Sequence, residues 1–113
     1  MIFAVVGSRH FFGYEQVSKI LDEYTFFITG IVSGGALGVD TLAIRYAKEH
    51  GIPWVEHLAD WGKYGKKAGH LRNRLIVSDA DFMLAFPTSD SKGTINSITL
   101  AREKGIEVRV INV

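Results

Sequence analysis

The sequence predicts an α/β fold, a Rossmann-like open, mainly parallel five-stranded sheet with helices on both faces. Three observations carry that expectation. Short, β-branched-rich apolar runs alternate with stretches whose apolar residues recur every three or four positions. The joints between them are short and several are rich in glycine. A repeated strand–helix order also favours parallel pairing, because each crossover helix returns the chain to the start of the next strand. Right-handed crossovers then give an open, doubly wound sheet.

Residues 2–6 form the first strand, apolar throughout as a central strand buried on both faces should be, and they end at Gly7-Ser8. Residues 14–24 follow as a helix with Val17, Ile20, Leu21 and Tyr24 on one face. Residues 27–33 are the second strand, closed by Gly34-Gly35. Over residues 38–50, Val39, Leu42, Ala43, Tyr46 and Ala47 mark one side of a second helix, with Gly51 as its stop and Pro53 beyond. Residues 53–58 give the third strand. Residues 59–65 read as irregular, and 66–78 as a helix in which Ala68, Leu71 and Leu75 face the core. The fourth strand covers 81–86, the last helix 94–104 with Gly105 as its stop, and the last strand 106–113. In that strand Glu107 and Arg109 alternate with Ile106, Val108 and Val110, the pattern of an edge strand with one wetter face.

The length of 113 residues suits one domain spanning 1–113, and 47% apolar with 22% charged residues is an ordinary soluble composition. A net charge of +1 provides no global field for nucleic acid, so electrostatic recognition has to be local. The absence of cysteine excludes a disulfide framework, thiol catalysis and cysteine-ligated zinc, and fits a cytoplasmic location. The apolar start is too short for a signal peptide or for a membrane span of roughly 20 residues. His10, His50, His57 and His70 lack ligand spacing, so no metal is expected, and no motif asks for a cofactor.

Open parallel sheets bind ligands beyond the carboxyl ends of their strands. Three such ends carry unusual turns here: Gly7-Ser8-Arg9-His10, Ser33-Gly34-Gly35 running on to Asp40, and Pro87 through Ser91 to Gly93-Thr94. In the last two, glycine lets backbone approach an oxyanion while the following helix offers unpaired N–H groups and a positive dipole end. Ser33 and Thr94 can add hydroxyl donors, and Arg9 a planar fork for phosphate. Asp40 has two readings, stabilisation of a helix start or contact with ligand hydroxyls. Between Trp61 and Arg74 the chain holds Lys63, Lys66, Lys67, Arg72 and Arg74 but no acid. Gly69 and Asn73 share a helix face there, flanked by Lys66 and Arg72. This stretch reads as a basic wall over the same ligand, with Trp61 or Tyr64 available to stack on a base. No nucleophile elbow, Walker loop or paired carboxylates are present.

Several ordered blocks at these positions resemble the SLOG superfamily, which joins the DprA/Smf proteins with LOG-type nucleotide phosphoribohydrolases, and within it the small YspA-like branch. The blocks are Gly7-Ser8-Arg9 with Phe11 or Phe12, Ser33-Gly34-Gly35-Ala36-x-Gly38-Val39-Asp40, and Ala59-Asp60-Trp61 through Gly69 to Arg72-Asn73. The last is Ala85-Phe86-Pro87 through Ser91-Lys92-Gly93-Thr94. The resemblance implies a Rossmann-like domain that binds nucleotide-derived ligands such as ADP-ribose or other phosphoribosyl molecules, and that self-associates. LOG enzymes carry two glycines after the proline and a glutamate three residues after the threonine. Here Thr88-Ser89 and Ser97 stand in those places, which leaves base–ribose hydrolysis without an evident agent.

The sequence therefore favours a sensor, carrier or sequestering module for a phosphorylated, nucleotide-derived ligand. A nucleotide N-glycosidic hydrolase is the alternative, with Asp40 or Asp90 replacing the glutamate. Single-stranded nucleic acid comes last, resting only on the basic stretch with Trp61 and Tyr64, and the net charge argues against it.

Overall fold

The first strand, β1 (Ile2–Gly7), is central because both of its faces are apolar: Phe3 and Val5 point one way, Ala4 and Val6 the other, and all four are buried. The computed structural model describes residues 1–113. After β1 come α1 (Tyr14–Asp22), β2 (Gly30–Gly34), α2 (Val39–Glu49), β3 (Trp54–His57), α3 (Trp61–Tyr64), a 3-10 turn (Gly65–Lys67), α4 (Ala68–Asp79), β4 (Phe82–Phe86), α5 (Lys92–Lys104) and β5 (Glu107–Val110). All neighbouring strands are parallel, in the order β3-β2-β1-β4-β5.

Strand alternation divides the core in two. On one face Phe3, Val5, Ile31, Leu84 and Phe86 pack with Val17 and Leu21 of α1 and with Val39, Ala43 and Tyr46 of α2. On the other, Ala4, Val6, Val32, Met83 and Ala85 meet Ile76 and Val77 of α4 and Ile98 and Ala101 of α5. The predicted architecture, an open parallel sheet with helices on both faces, is thus the one observed.

The differences lie at ends and edges. Helix α5 begins at Lys92, ahead of the expected Thr94. The stretch expected to be irregular holds α3, which starts where Asp60 accepts the Lys63 N–H at 3.0 Å. The expected core face of α4 is also wrong at Leu75, which is 53% exposed while Ile76 and Val77 are buried. That helix packs against the sheet and α5 together, so its inner stripe runs through Ala68, Asn73, Ile76 and Val77. Its carboxyl end is closed by Lys104 of α5, whose ammonium donates to the carbonyls of Val77, Ser78 and Ala80 at 2.9, 2.9 and 3.2 Å. Strand β5 ends at Val110, short of the predicted Val113, and β3 is a second wet edge with Trp54, Val55 and Glu56 exposed. No helix is long and apolar enough to cross a membrane.

Candidate ligand-binding cleft

Strands β2 and β3 lie on one side of β1, and the α4 crossover carries the chain back to β4 on the other. The order therefore reverses beside β1, and the turns leaving β1 and β4 diverge, which opens a crevice. A cleft of about 840 Å³ occupies that place.

The turn after β1 is tied down by Ser8, a buried residue. Its N–H donates to Phe86 O at 3.0 Å, and its carbonyl accepts the Val39 N–H at 3.1 Å. Its hydroxyl accepts the His10 N–H and lies 3.0 Å from the Thr88 hydroxyl. Ser8 thus joins three turns, and its polar atoms are largely engaged within the chain. Gly7 serves packing too: a Cβ there would come within 2.7 Å of both Phe86 O and Val39 Cγ2. Gly38 has φ +78°, and a Cβ on it would run into the Ser8 carbonyl, so only glycine seats α2 this close. The exposed side chain of Arg9 projects at the mouth of the cleft, held by no ion pair.

The turn after β2 corrects the sequence expectation. Ser33 is fully buried and donates its hydroxyl to Val5 O at 2.5 Å, which leaves it no ligand to meet. Gly34 lies behind the cleft, where a Cβ would come within 2.5 Å of Arg72 Nη1 and 2.7 Å of Asp40 Oδ2. Its bareness lets an acid and a guanidinium converge over the end of β2. Gly35 reaches the cleft wall, but the space a Cβ would take is filled by Leu58. Asp40, in the first turn of α2, is only 5% exposed and lines the inner end of the cleft. Burial pushes its carboxyl up to about 6, against the lowering pull of Arg72. The chain's own acid therefore occupies the α2 amino terminus, where the sequence suggested an anion cradle.

The turn after β4 is built differently. The Thr88 hydroxyl lies 2.7 Å from Asp90 Oδ1 and 3.1 Å from Ser91 Oγ, and Ser91 Oγ accepts the Thr88 N–H at 2.9 Å. Ser91 thereby turns back into the loop and makes no side-chain cap on α5. The N–H groups of Gly93 and Thr94 have no partner within the chain. A Cβ at Gly93 would meet nothing within 4 Å, and Ser91, Gly93 and Thr94 all line the cleft. Pro87 does not; it faces a shallow depression shared with Asn112 and Val113.

The far wall comes from α3 and α4. Trp61 lies over Gly69, with its ring 3.3 Å from where a Cβ would stand. Arg72 Nε donates to Asn73 Oδ1 at 2.9 Å. Asn73, 5% exposed, donates from Nδ2 to Gly93 O at 3.2 Å and to Asn96 Oδ1 at 3.0 Å. Asn73 thus links α4 to the first turn of α5. Lys66 is excluded from the cleft: it sits exposed on the 3-10 turn before α4, so it does not flank the face that Gly69 and Asn73 share. Sequence reasoning missed Leu37, Leu58, His70 and Asn96 as lining residues, and named His10 only as part of the turn after β1 and Asp90 only as a replacement for the absent glutamate. Asn96 had a usable signal, since it stands one helical turn beyond Gly93.

The profile of the YspA, cpYpsA-related SLOG family matches residues 1–64. A curated relative, the Gene 61 protein of Mycobacterium phage D29, is 42% identical over 84 residues, 69% of this chain and 67% of the relative. Among solved structures, DNA processing protein A (DprA) from Streptococcus pneumoniae superimposes with a TM-score of 0.78 at 21% identity, over 96% of this chain and 49% of that one. DprA from Helicobacter pylori, whose structure concerns its single-stranded DNA binding mode, gives a TM-score of 0.70 at 20% identity, over 97% of this chain and 64% of that one. The chain therefore spans about half to two thirds of the DprA chains, and what it shares with them is the fold.

Proposed function

The chain belongs to the YspA, cpYpsA-related SLOG family, and on that premise we propose that its cleft binds a nucleotide-derived phosphorylated ligand, ADP-ribose or another phosphoribosyl nucleotide. The protein would then act as a sensor, carrier or sequestering module. One observation carries the reading: the open amino terminus of α5 leaves the N–H groups of Gly93 and Thr94 unpartnered, and both residues line the cleft. Backbone donors and a positive dipole end at one place favour a phosphate. Arg9 and Arg72 add charge at that ligand, and the exposed face of Trp61 offers a stacking surface for a base. Asp40, which a phosphate would avoid, suits a sugar hydroxyl at the inner end.

Calorimetry and thermal-shift measurements with AMP, ADP, ADP-ribose, NAD and cyclic nucleotides test this reading. At least one is expected to bind and to raise the melting temperature, whereas no stabilisation by any of them would sink it. Chromatography of the same mixtures for free base or ribose phosphate separates binding from N-glycosidic hydrolysis.

A second reading has support of its own. Lys63, Lys66, Lys67 and Arg74 are exposed beside Trp61 and Tyr64, a combination that suits the backbone and bases of a single strand. The Helicobacter pylori DprA structure concerns single-stranded DNA binding, which gives this reading more weight than the net charge alone allows. A gel shift with oligo-dT whose affinity falls steeply with salt, and which Lys66→Glu/Lys67→Glu abolishes, would favour it over the small ligand.

A further inference from the structure

Asp40 and Arg72 approach the same point above Gly34 without closing an ion pair. The carboxyl is buried at the inner end of the cleft. The guanidinium donates from Nε to Asn73, and its outer nitrogens make no hydrogen bond within the chain, which leaves them for a ligand's oxygens. Arg72 is also the charged side chain that holds the Asp40 proton affinity down. Arg9, His10 and Asp90 stand in the turns lining the cleft, Lys92 begins α5 beside them, and His70 is engaged by Asn96. On α2 itself, Arg45 and Glu49 pair with each other.

A phosphorylated ligand in this cleft acts on Asp40 twice. It draws Arg72 toward its own oxygens, which weakens the compensation the carboxylate receives. It also brings negative charge near a carboxylate that is itself buried. Both effects favour the protonated acid, which can in addition donate a hydrogen bond to the ligand.

We propose that the cleft takes up a proton together with its anionic ligand, and that Asp40 is the group that receives it. This rests on the ligand-binding reading above and adds a pH dependence to it. The free carboxyl already titrates at about 6, so a modest rise on binding carries it across neutrality. Affinity is then fully present below about pH 6 and is lost as pH rises through the value in the complex, by up to about tenfold per pH unit.

ADP-ribose is the sharpest probe, because its pyrophosphate has no ionisation of its own in this range. Calorimetry at pH 7 in buffers of different ionisation enthalpy is expected to show uptake of roughly half a proton or more per ligand, and Asp40→Asn is expected to show none and a flat pH profile. With AMP, the difference between wild type and Asp40→Asn removes the phosphate's own proton. In wild-type protein, the Asp40 carboxyl carbon should titrate near pH 6 when free and higher when bound, a readout independent of any variant. Binding without proton uptake, or an Asp40 midpoint near that of an ordinary carboxylate, overturns this proposal and leaves the ligand reading intact. Binding by none of the nucleotides overturns both.

Discussion

The turns after β2 and β4 look alike in sequence, each glycine-bearing and each followed directly by a helix, yet the fold uses them in opposite ways. After β2, the helix start is filled from within: Asp40 occupies the dipole end, Leu58 covers Gly35, and Gly34 makes room for Arg72. After β4, the loop's hydroxyls bond to one another and the helix start is left bare. A glycine before a helix therefore does not by itself mark an anion site. What decides is whether a charged side chain of the same chain already occupies the positive end of the helix.

The largest expected effect breaks the closed turn. Gly38→Ala puts a Cβ into the Ser8 carbonyl at a positive φ and should cost about 3 kcal/mol, read as a lower urea midpoint. An unchanged midpoint would show that α2 is not pinned to the turn after β1. Next comes Asp40→Asn. The folded carboxyl is raised to about 6, so the fold favours its protonated form. The resulting penalty is absent below about pH 4, grows as pH rises to about 6, and is full above that. Thermal melts of the variant should therefore show a gain of about 2–3 kcal/mol at pH 8 and almost none at pH 3.5.

Arg72→Ala should weaken ligand binding about thirtyfold, the scale of a lost charged hydrogen bond of about 2 kcal/mol. Gly93→Val should cost about tenfold in affinity by filling the space before the bare N–H groups, with stability held within about 0.5 kcal/mol because valine is no worse than glycine in a helix. The smallest effect sharpens the contrast. Gly35→Ala meets only the movable end of Leu58, so affinity should change by less than about twofold. A larger loss there than at Gly93 would reverse the assignment of the two turns.

The order of elements along the chain and the placement of helices were legible because period and glycine punctuation are local signals that the parallel sheet reinforces. Arg9 and Gly93 were placed at the cleft because they lie in or just beyond turns at strand carboxyl ends, and Trp61, Gly69, Arg72 and Asn73 because they share one acid-free basic stretch with helical spacing. What stayed hidden depends on partners distant in sequence. The Ser33 hydroxyl could be assigned to Val5 only once β1 and β2 were paired. Gly34 read as a ligand contact because nothing local reveals Asp40 and Arg72 pressing against it. The exposure of Leu75 follows from α4 packing on two surfaces at once, a choice its own periodicity does not record.

The three-way joint at Ser8 also bears on how a guest enters and leaves. With the turns after β1 and β4 and the start of α2 laced together, those walls cannot part without losing several hydrogen bonds at once. The opposite wall, α3 and the 3-10 turn, buries no side chain at all. Local opening is least costly where least is buried. Traffic should therefore pass on the Trp61 side, and the residence time of a bound molecule should be set by how often that short segment lifts.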